Sequence, residues 1–217
     1  DHTPAPGVIP YSINAEPWED HATAERWIAI PLNGNVKIET EPWQFPKDTV
    51  LVKTLSLNME QNNPDTARRL ETQILHFDGL EWQPYTYQWN ESQSDADLLD
   101  AAGSQETLVI RDSKNPQVTR KQVWRFSGRA ECQRCHNKWS GPALAFNTPQ
   151  LNKPENHDGV STSQIESLAK LGLFDRPVDP KTLPSLAGPY DETADQTDRA
   201  RAYLQVNCAH CHRMHAG

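Results

Sequence analysis

Leu70-Glu71-Thr72-Gln73-Ile74-Leu75-His76-Phe77-Asp78-Gly79-Leu80-Glu81-Trp82-Gln83-Pro84-Tyr85-Thr86-Tyr87-Gln88-Trp89 is the stretch that decides the fold. Two runs rich in β-branched and aromatic residues flank Asp78-Gly79, a dipeptide that supplies the positive φ a hairpin turn requires. Period-two alternation puts Tyr85, Tyr87 and Trp89 on one face of the second run, and His76 with Leu70 and Ile74 on one face of the first. Outward from this hairpin the same pattern repeats. Thr49 to Leu57 is a further strand. Trp27 to Ile30 and Val36 to Ile38 flank Asn33-Gly34, with Pro31 marking an edge. Thr107 to Arg111 and Val118 to Phe126 flank Ser113-Lys114-Asn115-Pro116. Strands at this spacing predict a β-rich sandwich or open barrel over residues 1–127, within an α+β chain.

The texture changes at Gly128. Cys132-Gln133-Arg134-Cys135-His136 and Cys208-Ala209-His210-Cys211-His212 are two C-x-x-C-H motifs that use all four cysteines of the chain. This is the attachment signature of c-type haem. Two thiols add across the vinyl groups of one haem, and the following histidine supplies the proximal imidazole to iron. The motifs therefore predict two covalently bound haem c groups, on Cys132, Cys135, Cys208 and Cys211, with His136 and His212 on the irons. Zinc and disulfides are the competing uses of four cysteines. Zinc-ribbon pairs sit roughly 15–20 residues apart, far closer than these, and neither use asks for histidine after each pair.

The motifs divide the rest of the chain into a first haem segment over 128–158, a helix and Pro-rich connector over 159–192, and the start of a second haem segment over 193–217. Ser163 and Glu166 spell a capping box for a helix to Leu171, which Gly172 ends. Pro177, Pro180, Pro184 and Pro189 make an extended connector. A second helix runs from about Thr193, with Gln196 completing its box, into Cys208.

Only 36% of residues are hydrophobic and the mean hydropathy is -0.77, so the protein-only core is modest and two haems would fill it out. The formal charge of -8 leaves no basic patch for nucleic acid and suits docking to a basic redox partner. No stretch approaches the roughly 20 apolar residues of a membrane span. The opening Asp1-His2-Thr3-Pro4 carries no signal segment, as in a processed or excised chain. Covalent haem attachment in bacteria takes place outside the cytoplasmic membrane, so the chemistry points to the periplasm or another extracytoplasmic place such as the cell surface.

Sixth ligands are less legible. A downstream methionine is a common partner, but the methionines are Met59 and Met214, and Met214 is too close to His212 to reach the opposite face of the same haem. His157 is a distal candidate for the first haem, or a solvated loop residue. Met59 is a second candidate, and Trp139 is a haem contact by proximity. His76 is a ligand or a core histidine. His210 and His215 lie near the other haem or an additional metal, or simply at a flexible chain end. The Tyr85, Tyr87 and Trp89 face is a porphyrin cradle or ordinary sheet core.

The run from Gly7 to Tyr11, FPKDTVLVKTL from Phe45, RRLETQIL from Arg68, YTYQWNESQSDADLL from Tyr85, AECQRCHNKWSG from Ala130, TPQLN from Thr148 and RARAYLQVNCAHCH from Arg199 together resemble a bacterial dihaem c-type cytochrome family. Members are often fused behind, or encoded beside, propeller-type sugar dehydrogenases that resemble quinoproteins. The resemblance implies an electron-transfer protein rather than an enzyme. It would take electrons from a dehydrogenase or other redox partner and deliver them to the respiratory chain, with the six motif residues as haem anchors. The chain departs from the family after the second motif, where Arg213 to Gly217 stand in place of a Gly-rich stretch and a further segment. Either the chain is part of a longer one, or the second haem takes its cover from the β-domain or another subunit. The alternatives are a peroxidase-like dihaem enzyme with one open iron, and a haem-bearing subunit of a larger electron-conducting assembly.

Overall fold

The computed structural model describes residues 2–38, 42–115, 117–157 and 160–212, the side chains of His157 and Val160 excepted. Six strands form one antiparallel meander in chain order: β1 (Ile9–Tyr11), β2 (Thr23–Ala29), β3 (Val50–Asn58), β4 (Ala67–Phe77), β5 (Trp82–Trp89) and β6 (Ala96–Leu98). A separate hairpin, β7 (Ser104–Arg111) with β8 (Thr119–Phe126), follows. After it come α1 (Arg129–Cys135), α2 (Thr148–Leu151), the small pair β9 (Pro154–His157) and β10 (Val160–Ser163), α3 (Gln164–Lys170) and α4 (Gln196–Asn207). The N-terminal part is thus β-rich, an open sheet rather than a closed barrel in its named pairings. Among the described residues no helix is long and apolar enough to cross a membrane.

The β4–β5 hairpin forms as its turn chemistry demands. Gly79 has φ +100°, a region open to glycine but costly for other residues. Asp78 Oδ1 accepts the backbone N–H groups of Leu80 and Glu81, each at 2.8 Å. The predicted hairpin around Asn33-Gly34 does not form. Both edges of β2 are taken by β1 and β3, so the segment beyond Pro31 has no free edge to pair with. Val36 instead bridges Phe174, and Lys37 bridges Gln44.

Alternation along the strands sends two apolar clusters to one face of the sheet. Ile28, Leu51 and Leu75 share a cross-strand row and pack with Trp43, Phe146, Leu151, Ile165, Leu168 and Phe174. This core draws on both sides of the change in texture at Gly128. Lower on the same face, Leu55, Leu57 and Leu70 pack with Leu108 and Ile110 of β7 and Trp124 and Phe126 of β8. A register shift at Leu55/Ser56 breaks the alternation, so the consecutive Leu70 and Glu71 are both buried. Each fully buried Leu or Phe contributes about 1.5–3 kcal/mol.

Both predicted helices are present, α3 following Ser163 as expected and α4 starting later than Thr193. Ser163 is the N-cap of α3 but its side chain makes no capping bond; its hydroxyl is turned toward Asn152, donating to Oδ1 at 3.1 Å. α4 is capped by Asp195, whose side chain accepts from the N–H groups of Thr197 and Asp198. Thr193 is occupied with Asp191. α4 then runs to Asn207 with Cys208 as its C-cap.

Candidate functional site

Between the two apolar clusters lies a polar row. Arg26, Lys53 and Gln73 are successive cross-strand partners, with Thr86 next in line. These side chains share the face that carries Leu51 and Leu75, where alternation calls for apolar residues. Each cation there has an acidic partner. Arg26 grips Glu16 with two bonds, at 2.9 and 2.6 Å, and Lys53 Nζ reaches Glu19 at 2.9 Å.

Arg26, Lys53 and Gln73 line one side of a cavity of about 1190 Å³, whose opposite walls include the segment around Phe146, the end of α4 and both C-x-x-C-H motifs. That volume exceeds the 300–1,000 Å³ typical of small-molecule sites, which suits a large ligand or two. The six predicted anchors divide into Cys132, Cys135, His136, Cys208 and His212, which line it, and Cys211, which is exposed at its edge. His210 lines it as well.

The first motif is carried by α1, which hangs from the end of β8. A Cβ on Gly128 would meet backbone atoms of Ala101 and Ala102 at 2.5–2.8 Å, so only glycine lets the two segments approach. Glu131 Oε2 accepts the N–H of Gly128 at 2.7 Å and pairs with Arg125 at 2.7 Å. Those two bonds hold its carboxyl below the usual range, the Arg125 contact foremost. The helical turn places Cys132, Cys135 and His136 on one side.

Both motifs close in the same way. The N–H of His136 donates to Cys132 O, and the N–H of His212 to Cys208 O, each at 2.9 Å. The His136 ring adds a further constraint, for its Nδ1 lies 2.6 Å from Pro142 O. A carbonyl oxygen only accepts, so Nδ1 carries the proton and Nε2 keeps its lone pair. That arrangement is how a ligating histidine is usually oriented. Burial lowers the basicity of the ring, which favours the neutral imidazole that iron requires. Burial likewise pushes up the thiols of Cys132 and Cys135, with Glu71 the next contributor for the first and Cys211 for the second. The donor set on this cavity fits a c-type haem.

The remaining candidates scatter. Met59 packs against the cluster around Leu55 and Leu108 and does not line the cavity. Trp139 is 60% exposed with Lys138 Nζ 4.9 Å from its ring centroid, and it too lies outside the lining. His76 faces away from the Leu75 row, with Nε2 3.3 Å from Asp48. Tyr85, Tyr87 and Trp89 alternate with Pro84 and Thr86 along β5 and are half-buried; of the three, Tyr85 lines the cavity, with Arg129 over its ring, and Arg69 lies over Trp89. The side chain of His157, and Met214 and His215, lie outside the described residues. Arg26, Lys53 and Gln73 are the lining residues that sequence reasoning passed over, as is Glu71, whose charge acts on Cys132 from outside the lining. Their signal is a polar residue at a core-facing position, as Lys53 between Leu51 and Leu55.

No family model, curated protein or solved structure matches this chain.

Proposed function

We propose that this chain is a dihaem c-type cytochrome that carries single electrons between redox proteins outside the cytoplasmic membrane. Cys132 and Cys135 would anchor one haem and Cys208 and Cys211 the other, with His136 and His212 as proximal ligands. Bound haem supplies a one-electron couple whose potential follows its axial ligands and burial. The chain's own residues orient and seclude it. Pro142 O fixes the tautomer of His136, and the apolar wall around Phe146 limits water. The paired cations Arg26 and Lys53 put polar groups where haem carboxylates can be met.

The supporting observation is the convergence of two motifs, far apart in sequence, on one cavity with the His136 ring already oriented for a metal. The donor class we favour is a dehydrogenase, by the resemblance in the sequence, and the acceptor belongs to the respiratory chain. The acidic net charge of -8 favours basic partner surfaces.

Intact mass and a pyridine haemochrome count on protein matured with haem test the reading. Two covalent haems with low-spin spectra, inert to peroxide and carbon monoxide, are expected. Cys132→Ser with Cys135→Ser should remove one of the two. Absence of covalent haem would overturn the proposal, and a high-spin haem that turns over peroxide would replace it with catalysis.

A further inference from the structure

Cys135 Sγ, a ring nitrogen of His210 and Cys211 Sγ lie within 4.8 Å of one another. Cys135 ends α1, and the other two sit in the turn after α4, so the cluster exists only because the fold brings the two motifs together. We propose that in the haem-free chain these three residues form a binding site for one zinc-class divalent ion.

Zinc–sulfur bonds of about 2.3 Å and zinc–nitrogen bonds of about 2.0 Å place tetrahedral ligand atoms about 3.5–3.8 Å apart. Drawing the three atoms together by about 1 Å therefore sets three of the four tetrahedral ligands in place. The fourth tetrahedral position is left for water. Two thiolates and an imidazole select zinc-like ions over magnesium or calcium, which prefer oxygen. On binding, the two thiols release their protons to the buffer and both sulfurs bond the metal.

The site goes beyond electron transfer, and its bearing on maturation rests on the haem reading. Thioether formation on Cys135 and Cys211 consumes both thiolate donors, so haem attachment abolishes the site. The same sulfurs thus serve either a zinc ion or a porphyrin vinyl group, and a chain that takes up zinc before haem is withheld from maturation.

The full chain produced without haem attachment, kept reduced and checked for its β-sheet signal by circular dichroism, is titrated with cobalt(II). One equivalent should bind, with tetrahedral visible bands and a thiolate-to-metal band in the near ultraviolet, and zinc should displace it. Cys135→Ser and Cys211→Ser should each weaken binding by about 100-fold or more, and His210→Ala by about 10–100-fold. No saturable binding overturns the proposal, as does equal affinity in the Cys135 and Cys211 variants, or a haem-free chain that lacks the sheet. Because the measurement uses the haem-free chain, cobalt binding alongside a matured protein without covalent haem would sink the cytochrome reading and leave this site standing.

Discussion

Trp124 on β8 donates its indole N–H to Glu71 Oε1 on β4 at 3.1 Å, tying the second hairpin to the main sheet beneath the motif cavity. Both side chains are buried. Burial, the dominant influence, pushes the Glu71 carboxyl up to about 7. A folded-state value above the unfolded one means the native chain holds the extra proton between about pH 4.5 and 7. Stability from this group is therefore present at low pH and lost as pH rises through that window, by up to about 3 kcal/mol. Glu71→Gln should flatten the dependence and raise the melting temperature at pH 7.5. Melting curves from pH 4.5 to 8 on both proteins check it.

Arg26 is 4% exposed and its guanidinium is held by Glu16 at 2.6 Å. Truncating one partner of such a pair strands a buried charge, a cost of about 3–5 kcal/mol when both partners are buried. The Glu16 side chain is 44% exposed, so water screens the loss. Glu16→Ala should cost about 2 kcal/mol, and adding Arg26→Met should recover much of it. Urea denaturation of the two variants and the parent decides this.

Gly128→Ala should destabilise the protein by more than 2 kcal/mol, since its Cβ would sit 2.5 Å from Ala101 O and backbone atoms have no rotamer to yield. The displacement falls on α1 and hence on Cys132. Haem incorporation should drop for the first motif while the second still attaches, which intact mass resolves by counting haems.

Phe146 is 1% exposed and packs edge-on against Tyr11 at 4.9 Å and Trp43 at 5.9 Å, forming wall to the cavity as well as core. Phe146→Ala should cost about 3–5 kcal/mol. The widened wall should admit an environment-sensitive apolar dye to the haem-free chain, seen as increased fluorescence over the parent. Unchanged melting and unchanged dye binding would count against its place in the core.

The hairpin at Asp78-Gly79 was legible because its turn chemistry is local: a positive φ at Gly79 and an aspartate able to accept two backbone N–H groups. The Asn33-Gly34 signal was equally strong locally and failed. Pairing there depends on which edges β1 and β3 leave open, and no window of a few residues contains that fact. The start of α4 slipped from Thr193 to Asp195 for a similar reason. Both residues can cap, and the hydrogen bonds of Thr193 to Asp191 settle the competition.

The sequence by itself determined the β-rich character of the first part and the identity of the six haem-anchor candidates, since strand alternation and the C-x-x-C-H spacing are properties of neighbouring residues. Tertiary structure alone decided what surrounds them. It set Arg26, Lys53 and Gln73 in one row beneath the motifs, and brought Cys135 beside His210 and Cys211. It also carried Met59 and Trp139 away from the cavity. Those relationships depend on cross-strand register and on where α1 and α4 end in space. Both follow from the burial of two apolar clusters by residues distant in the chain.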